Sequence, residues 1–402
     1  MMVSIVICIC ADMSRFYPML ARLICKKGAL ISMLGGLFCE KPSPIGLSET
    51  SKGRRVTYLD DHRIKNTDQR GVKMAHKPLY IDNLQYVNWE PKHFQEMADG
   101  NLSAVHVTIC YHESFRETVL NFSQWNKWFE AYPNRLMRGL SGDDVRNAHE
   151  QGKTAIIFGF QNCSPIEDDI SLIEICHQLG ARFMQLSYNN QSLLATGCYE
   201  DEDPGITRFG RQAIKEMNRV GLVVDMSHSA DRSTLEAIDI SERPIAITHA
   251  NPSWWHPARR NKSDEVIKAL TAAGGMIGFS IYPHHLKGAS DCSLESFCEM
   301  IARAADAYGI EALGIGSDLC QGQPDSVVEW MRNGRWSKVM DFGEGSADNA
   351  GFPPQPEWFE TIKDFPNIAN GLSSYGFSDS DVAAIMGGNW LRFYDENFGP
   401  QS

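Results

Sequence analysis

Eight apolar runs recur between residues 78 and 316, and the segments between them carry helical spacing. That alternation constrains the fold more than any other feature of the chain. The runs are 78–84 (PLYIDNL), 104–110 (AVHVTIC), 154–160 (TAIIFGF), 182–187 (RFMQLS), 222–226 (LVVDM), 244–248 (PIAIT), 275–281 (GMIGFSI) and 312–316 (ALGIG). Short, nearly continuous apolar runs suit strands covered on both faces of a parallel sheet. Residues 164–179, 210–220, 262–273 and 294–308 read as helices, and 362–394 as two more, the second starting at Ser378. Eight strands alternating with helices predict an α/β chain folded as a (β/α)8 TIM barrel. The rival, an open doubly wound sheet, lacks the Gly-rich phosphate fingerprint after its first strand.

The 402 residues suffice for one large barrel with extensions, and 43% hydrophobic with 22% charged residues is ordinary for a globular protein. A formal net charge of −12 argues against a nucleic-acid surface, so no nucleic-acid partner is expected. The 11 cysteines are scattered without a CxxC pair, which reads as reduced thiols in a cytoplasmic setting. Residues 1–75 differ from the rest. Two apolar patches, 3–10 and 28–39, are followed by a polar, charged stretch, without the basic start and single apolar core of a secretory signal. They read as a disordered extension or a start assigned too early, with Met74 as the first residue. A targeting or membrane-associated segment is the alternative. Residues 76–402 form the barrel domain.

Loops after the strands of such a barrel carry its chemistry. Two long ones stand out, 189–208 after the fourth strand and 319–357 after the eighth. Three strand ends supply metal-type side chains: His228 after the fifth, His249 after the sixth and Asp318 after the eighth. Two neutral imidazoles and a carboxylate are a ligand set for zinc or a similar divalent ion. Such an ion polarises a carbonyl and makes hydroxide available near neutral pH, with Asp318 as base or third ligand. His106, within the second run, is an acid/base or ligand candidate if it points into the barrel, and a buried structural histidine otherwise. At most one of His284 and His285 can face the pocket, since adjacent residues of an extended segment point opposite ways. Of Trp254 and Trp255, one is expected to pack and one to wall the pocket.

Four segments carry a resemblance to a known family: 210–228 (GRQAIKEMNRVGLVVDMSH), His249 with Arg259, Arg260, Asn261 and Asp264, the Ile281-Tyr282-Pro283 triplet, and 313–318 (LGIGSD). In order and spacing they resemble the renal or membrane dipeptidases, peptidase family M19 of the amidohydrolase superfamily, over roughly residues 79–394. The resemblance implies a barrel of the metal-dependent hydrolase type that cleaves dipeptides with two zinc ions. It implies His228 and His249 as ligands of the second zinc, Asp318 as the active-site acidic residue, and Arg260 as the partner of a substrate carboxylate. Tyr282 and Asn261 fall beside the substrate, and a homodimer is implied.

The chain also departs from that family. Leu84 and Tyr86 stand where the first zinc's histidine and aspartate belong, Gln161 where a glutamate bridges the ions, and Tyr188 where a histidine reaches the reacting carbonyl. One divalent ion, zinc first, is therefore expected rather than two. Tyr188 and Tyr86 become candidate donors to an oxyanion. The expected activity is a dipeptidase-like metallohydrolase acting on a small carboxylated substrate. Non-peptide hydrolase, lyase or decarboxylase chemistry on the same barrel, and a non-catalytic binding descendant, are the alternatives.

Overall fold

The computed structural model describes residues 77–335 and 337–399. The expectation for residues 1–75 therefore lies outside the described residues. Among these there are nine strands: β1 Tyr80–Gln85, β2 Leu102–Cys110, β3 Leu136–Arg138, β4 Thr154–Phe160, β5 Ala181–Gln185, β6 Val223–Asp225, β7 Ala246–Ile247, β8 Met276–Phe279 and β9 Leu313–Ile315. All pairings are parallel, in the order β1-β2-β4-β5-β6-β7-β8-β9. The short β3 pairs only with the outer flank of β4 and is the one strand the apolar pattern did not predict.

The sheet closes on itself just past the strand ends. Asp318 N donates to Leu84 O at 3.0 Å, and Tyr86 N donates to Leu319 O at 2.9 Å. The Asp82 carboxylate adds a side-chain stitch, accepting from Ser317 N at 2.7 Å and Ser317 Oγ at 2.5 Å. The eight-stranded (β/α)8 barrel is thus complete, with helices outside every strand-to-strand crossover.

The helices begin where short polar side chains cap them. Thr207 accepts from Gly210 N before Arg208–Val220, Ser263 from Val266 N before Asp264–Ala272, and Ser293 from Ser296 N before Leu294–Tyr308. Ser378 caps Asp379–Ala383 in the same way, as its sequence signal predicts, and Phe365–Tyr375 precedes it. The segment 164–179 is a correction. Ser164–Ile166 forms a single 3-10 turn, Glu167 takes φ 50°, and the α-helix starts only at Leu172. A left-handed residue ends any right-handed helix, whatever the apolar spacing around it.

One end of the barrel is plugged. Ile81, Ala104, Ile157, Phe183, Val223, Ala246 and Met276 fill the interior there and meet Trp390, Phe393 and Tyr394 of the last helix, Asn389–Asn397. Trp390 Nε1 donates to Ile315 O at 3.1 Å, and Tyr394 Oη donates to Asn83 Oδ1 at 2.7 Å. Gly314 makes this approach available, because a Cβ there would run into the Trp390 indole. With that end filled, chemistry is left to the C-terminal strand ends. Among the described residues no helix is long and apolar enough to cross a membrane.

Candidate active site

Asp225, the last residue of β6, organises the site from below. Its Oδ1 accepts from Ser227 N at 2.9 Å, Ser227 Oγ at 2.5 Å and Thr248 N at 3.2 Å, and its Oδ2 accepts from Thr248 Oγ1 at 2.6 Å. One buried carboxylate therefore joins the end of β6 to the residue after β7 and turns the chain so that His228 and His249 meet. Burial pushes its pKa up while these four donors oppose the shift.

The hydrogen bonds assign the imidazole tautomers. The single Thr248 hydroxyl proton goes to Asp225, so the contact of Thr248 Oγ1 with His249 Nδ1 at 2.8 Å makes Nδ1 the protonated nitrogen of His249. His228 Nδ1 donates to Asn189 Oδ1 at 2.7 Å. Both Nε2 atoms then carry lone pairs, and they stand 3.0 Å apart. A third acceptor joins them: Gln161 Oε1 lies 3.0 Å from His228 Nε2. The Gln161 amide is oriented by its own Nε2, which donates at 2.9 Å to Thr108 Oγ1 and at 2.9 Å to Tyr111 Oη. Thr108 spends its proton on Gln85 O at 3.2 Å, so it accepts from the amide. Three lone pairs face one another without a proton between them.

Burial holds both imidazoles well below their ordinary pKa, and the Arg260 guanidinium adds to the effect, so both are neutral at pH 7. Neutral imidazole is the form that binds metal. Two nitrogens on one tetrahedral zinc lie about 3.3 Å apart for bonds of about 2.05 Å. The observed spacing fits a single cation held by His228 and His249 with the Gln161 oxygen beside them. Among the described residues, no group of three or more His, Cys, Asp or Glu side chains forms a metal-type cluster, and the third acceptor beside the two histidines is the Gln161 amide oxygen.

The surrounding groups fix these two rings. Tyr188 stacks on His228, centroids 4.1 Å apart and planes at 26°. Arg260 is buried and its guanidinium donates to Ser227 O and, at 3.1 Å, to His249 O. Lys262, equally buried, donates to Ser229 O, and burial lowers its pKa to about 8. Arg260 and Lys262 thus hold the two histidine-bearing loops by their carbonyls.

Asp318 follows β9 with φ 58°. It lines the cleft with Gln161, Tyr188, His228, Arg260, Tyr282 and His285. Burial raises its pKa to about 7, against the pull of Arg260 and with Asp82 and Asp225 adding to the rise. Its Oδ2 lies 3.9 Å from His285 Nδ1, which itself pairs with Ser280 Oγ at 2.8 Å. A carboxyl that titrates near neutrality beside a metal-type pair is placed for proton transfer.

Of the residues singled out in the sequence, His228, Asp318, Tyr188, Tyr282 and Arg260 share this cleft, and His249 backs it through His228. His106 and Asn261 do not line it. The His106 ring stacks on Phe183 at 4.7 Å, its Nδ1 meets Asn83 O at 2.9 Å, and burial lowers its pKa to about 3. It points into the barrel against the plugged end, the buried structural alternative of the two readings. Asn261 uses its amide on Asn251 N, His256 O and His285 O, which shapes the loop. Of the adjacent pair, His285 faces the cleft and His284 does not. Neither tryptophan walls the cleft: Trp255 is buried in the core, and Trp254 donates to Tyr308 Oη at 2.7 Å under Arg303. Both pack against the helix Leu294–Tyr308 instead, Trp255 on Phe297 and Trp254 on Tyr308 and Arg303.

Sequence reasoning missed Asp225, Thr248, Asn189 and the outer wall, which is formed by Tyr199, Cys320, Met331 and Arg332. The only available signal for the wall was the length of the loops after β5 and β9. The innermost part of the cleft is about 30 Å³, room for a water or an ion. A larger groove of about 380 Å³ lies outside against β3, lined by Asn126, Phe129, Glu130, Met137 and Arg138, without a metal-type or nucleophilic cluster.

Comparison with known proteins agrees with this geometry. The membrane dipeptidase family, peptidase family M19, matches residues 86–341, more than half of the chain. The chain belongs to the membrane dipeptidase family. Dipeptidase tcpJ of Claviceps purpurea is 25% identical over 290 residues, 71% of this chain and 61% of its own length. Dipeptidase verJ of Clonostachys rogersoniana is 26% identical over 340 residues, 83% of this chain and 79% of its own length. An amidohydrolase from Pseudomonas aeruginosa, solved by crystallography, is 34% identical, with a TM-score of 0.76 over 80% of this chain and 97% of its own. The chain thus spans less than two thirds of the Claviceps relative. Within this family fold, the places at the end of β1 where the resemblance put ligands of a first zinc hold Leu84, wholly buried, and Tyr86, edge-on to Tyr111 at 4.6 Å. Leucine offers a metal nothing.

Proposed function

We propose that this protein is a dipeptidase-like metallohydrolase that cleaves a small, carboxylated amide substrate with one divalent ion, zinc first. The observation that carries the reading is the convergence of His228 Nε2, His249 Nε2 and Gln161 Oε1 as three acceptors without a shared proton. When bound there, the ion supplies Lewis-acid polarisation and lowers the pKa of water. The chain's own residues do the rest. Asp318 accepts the proton of the attacking water at its carboxylate and returns it to the leaving amine. Tyr188, kept un-ionised because burial raises its pKa, is a hydroxyl donor for the oxyanion. Water adds across the C–N bond, and the products are an acid and an amine.

The test is metal analysis of purified full-length protein together with hydrolysis of a dipeptide panel. About one equivalent of zinc or manganese, activity on at least one dipeptide, and loss of both in His228→Ala support the proposal. Metal-free protein that no divalent ion activates sinks it. A second reading follows from Leu84 and Gln161: a site limited to one ion and lacking a bridging carboxylate suits a non-peptide carboxylated amide or ester. Silence on dipeptides with turnover of such compounds selects that reading.

A further inference from the structure

We infer that His285, in the 3-10 turn Pro283–His285 after β8, is a catalytic residue whose Nε2–H donates to the oxygen of the reacting carbonyl. This rests on the hydrolase reading of the same cleft and adds a second oxyanion donor to Tyr188.

Ser280 decides which nitrogen of the ring carries the proton. Its hydroxyl is buried and accepts from Tyr282 N at 3.2 Å. The hydroxyl proton needs an acceptor in turn, since a buried donor left unpaired is costly. Among the described residues the acceptor within hydrogen-bond reach is His285 Nδ1, at 2.8 Å. Ser280 therefore donates to Nδ1, and the ring's own proton sits on Nε2. Asp318 Oδ2 lies 3.9 Å from the same Nδ1, too far for a hydrogen bond to compete. Nε2 makes no hydrogen bond among the described residues, and the ring lines the cleft.

The cleft thus holds imidazoles of two kinds. His228 and His249 turn lone pairs toward each other, where a cation fits. His285 turns an N–H, which suits an oxygen. As water adds to a carbonyl, that oxygen gains negative charge, and a fixed donor binds it more tightly in the transition state than in the substrate. The proton stays on Nε2 throughout, so Asp318 still carries the proton of the attacking water to the leaving amine. A ring bearing a second proton would present the same Nε2–H, so the role does not turn on its charge.

The donor is aimed before any substrate arrives. Asn251 Oδ1 accepts from Ser280 N at 3.1 Å, and Asn251 Nδ2 donates to Ser280 O at 2.9 Å and to His285 O at 3.1 Å. Asn261 Nδ2 adds a bond to His285 O at 3.0 Å, and His285 N donates to Tyr282 O at 2.8 Å. The Tyr282 ring packs on the imidazole, centroids 5.1 Å apart. Two asparagine amides, a serine and a tyrosine therefore fix both the backbone and the ring, which is how a donor is preorganised for a charge that appears only in the transition state.

The experiment has two parts, both on full-length, zinc-loaded protein. Long-range proton–nitrogen NMR of histidine-labelled protein reads the tautomer, with the His285 signals assigned by their absence in His285→Gln. Wild type should carry the proton on Nε2, and Ser280→Ala should lose that preference. Calorimetry then reads the binding of a phosphinate dipeptide analogue, whose tetrahedral anionic centre copies the reacting one. His285→Phe should weaken it at least about tenfold. His285→Gln, which returns an N–H donor near the place of Nε2, should recover part. Zinc affinity by chelator competition and circular dichroism should match wild type, which separates a lost donor from lost structure. A His285→Phe protein that fails to fold leaves Ser280→Ala to carry the test, with a smaller fall expected. An Nδ1–H tautomer in wild type, or equal phosphinate affinity in wild type and His285→Phe, overturns the inference. A phosphinate affinity that falls in His285→Phe, in a protein that turns over no dipeptide, defeats the proposed activity and leaves His285 in its role. Dipeptide turnover with equal phosphinate affinity defeats the role and leaves the activity. Wild type that does not bind the phosphinate defeats both.

Discussion

His228 Nε2 stands 3.0 Å from His249 Nε2, with both rings neutral and both protons directed outward, to Asn189 and to Thr248. Two lone pairs held that close by separate strands repel unless a cation or a proton lies between them. Burial excludes the proton, since charging either ring in this environment is costly. A cation relieves the repulsion without that cost. Zinc should therefore raise the melting temperature of metal-stripped protein, by an amount set by its affinity and concentration. His228→Ala and His249→Ala should each abolish the rise while raising the melting temperature of the metal-free protein or leaving it unchanged. Differential scanning calorimetry with and without zinc is the check.

The chain Asp225–Thr248–His249 fixes which nitrogen of His249 faces the site. Thr248→Val keeps the shape and removes the hydroxyl, so Asp225 loses a donor and His249 Nδ1 loses its acceptor. Losing such outer partners typically weakens metal binding about 10- to 100-fold. Competition with a zinc chelator should show a loss of that size, whereas Thr248→Ser should bind as wild type does.

Asp318 gives the site its pH dependence. Its folded pKa of about 7 stands above the ordinary aspartate value of 3.8, and burial is the main cause. The native protein therefore keeps this proton when the unfolded chain has released it. Stability of the metal-free protein falls as pH rises from about 4 through about 7, by at most about 4 kcal/mol. Asp318→Asn should flatten that fall and be the more stable protein at pH 8. Activity runs the other way: a base must be ionised, and a bound cation lowers the pKa of a carboxyl beside it, so turnover should climb at a lower pH than the stability of the metal-free protein falls, and be lost in Asp318→Asn. A variant that is no more stable than wild type at pH 8 would contradict the assignment.

Gly159 and His106 occupy one space between them. A Cβ at Gly159 would run into the His106 Nε2, and the ring is confined on its other side by Phe183 at 4.7 Å. Gly159→Ala should destabilise the fold by about 1–3 kcal/mol through overpacking. Adding His106→Ala should recover part of that loss, as coupled neighbours do. His106→Phe alone should retain turnover, because the ring packs below the cleft and does not line it. Urea unfolding of the three variants, with an activity assay on the last, settles both points.

The strands were legible because each is a short apolar run buried on both faces, and β3 was not because Leu136–Arg138 is short and only partly covered. His228 and His249 were legible because they directly follow such runs. Asp225 and Thr248 were not, since each reads as an ordinary strand-end residue. Their partnership arises only from the register that sets Asp225 beside Ala246. His106 shows the limit of alternation: it gives the face of a strand but not the depth in the barrel. Arg332 lies 14 residues beyond Asp318 in a stretch the sequence reads as loop, where the structure forms the short helix Ser326–Asn333, so only the folded segment brings it to the cleft.

Gln161 is the position where the chain's chemistry can be moved. Its Oε1 already points at His228 Nε2 from 3.0 Å, and its Nε2 is held by Thr108 and Tyr111. Gln161→Glu changes one nitrogen to oxygen and adds a negative charge beside two neutral imidazoles. Thr108 Oγ1 must then accept no proton, and Tyr111 Oη can turn to donate, so the carboxylate keeps one good hydrogen bond. In metal-free protein the new buried charge should lower stability, because no cation partners it. With zinc the same charge becomes a ligand, and affinity should rise at least about tenfold. Zinc titration monitored by a chelator, alongside melting temperatures with and without metal, separates the two effects. A variant whose zinc affinity does not increase would mean that the Gln161 oxygen faces the histidines without sharing their ion.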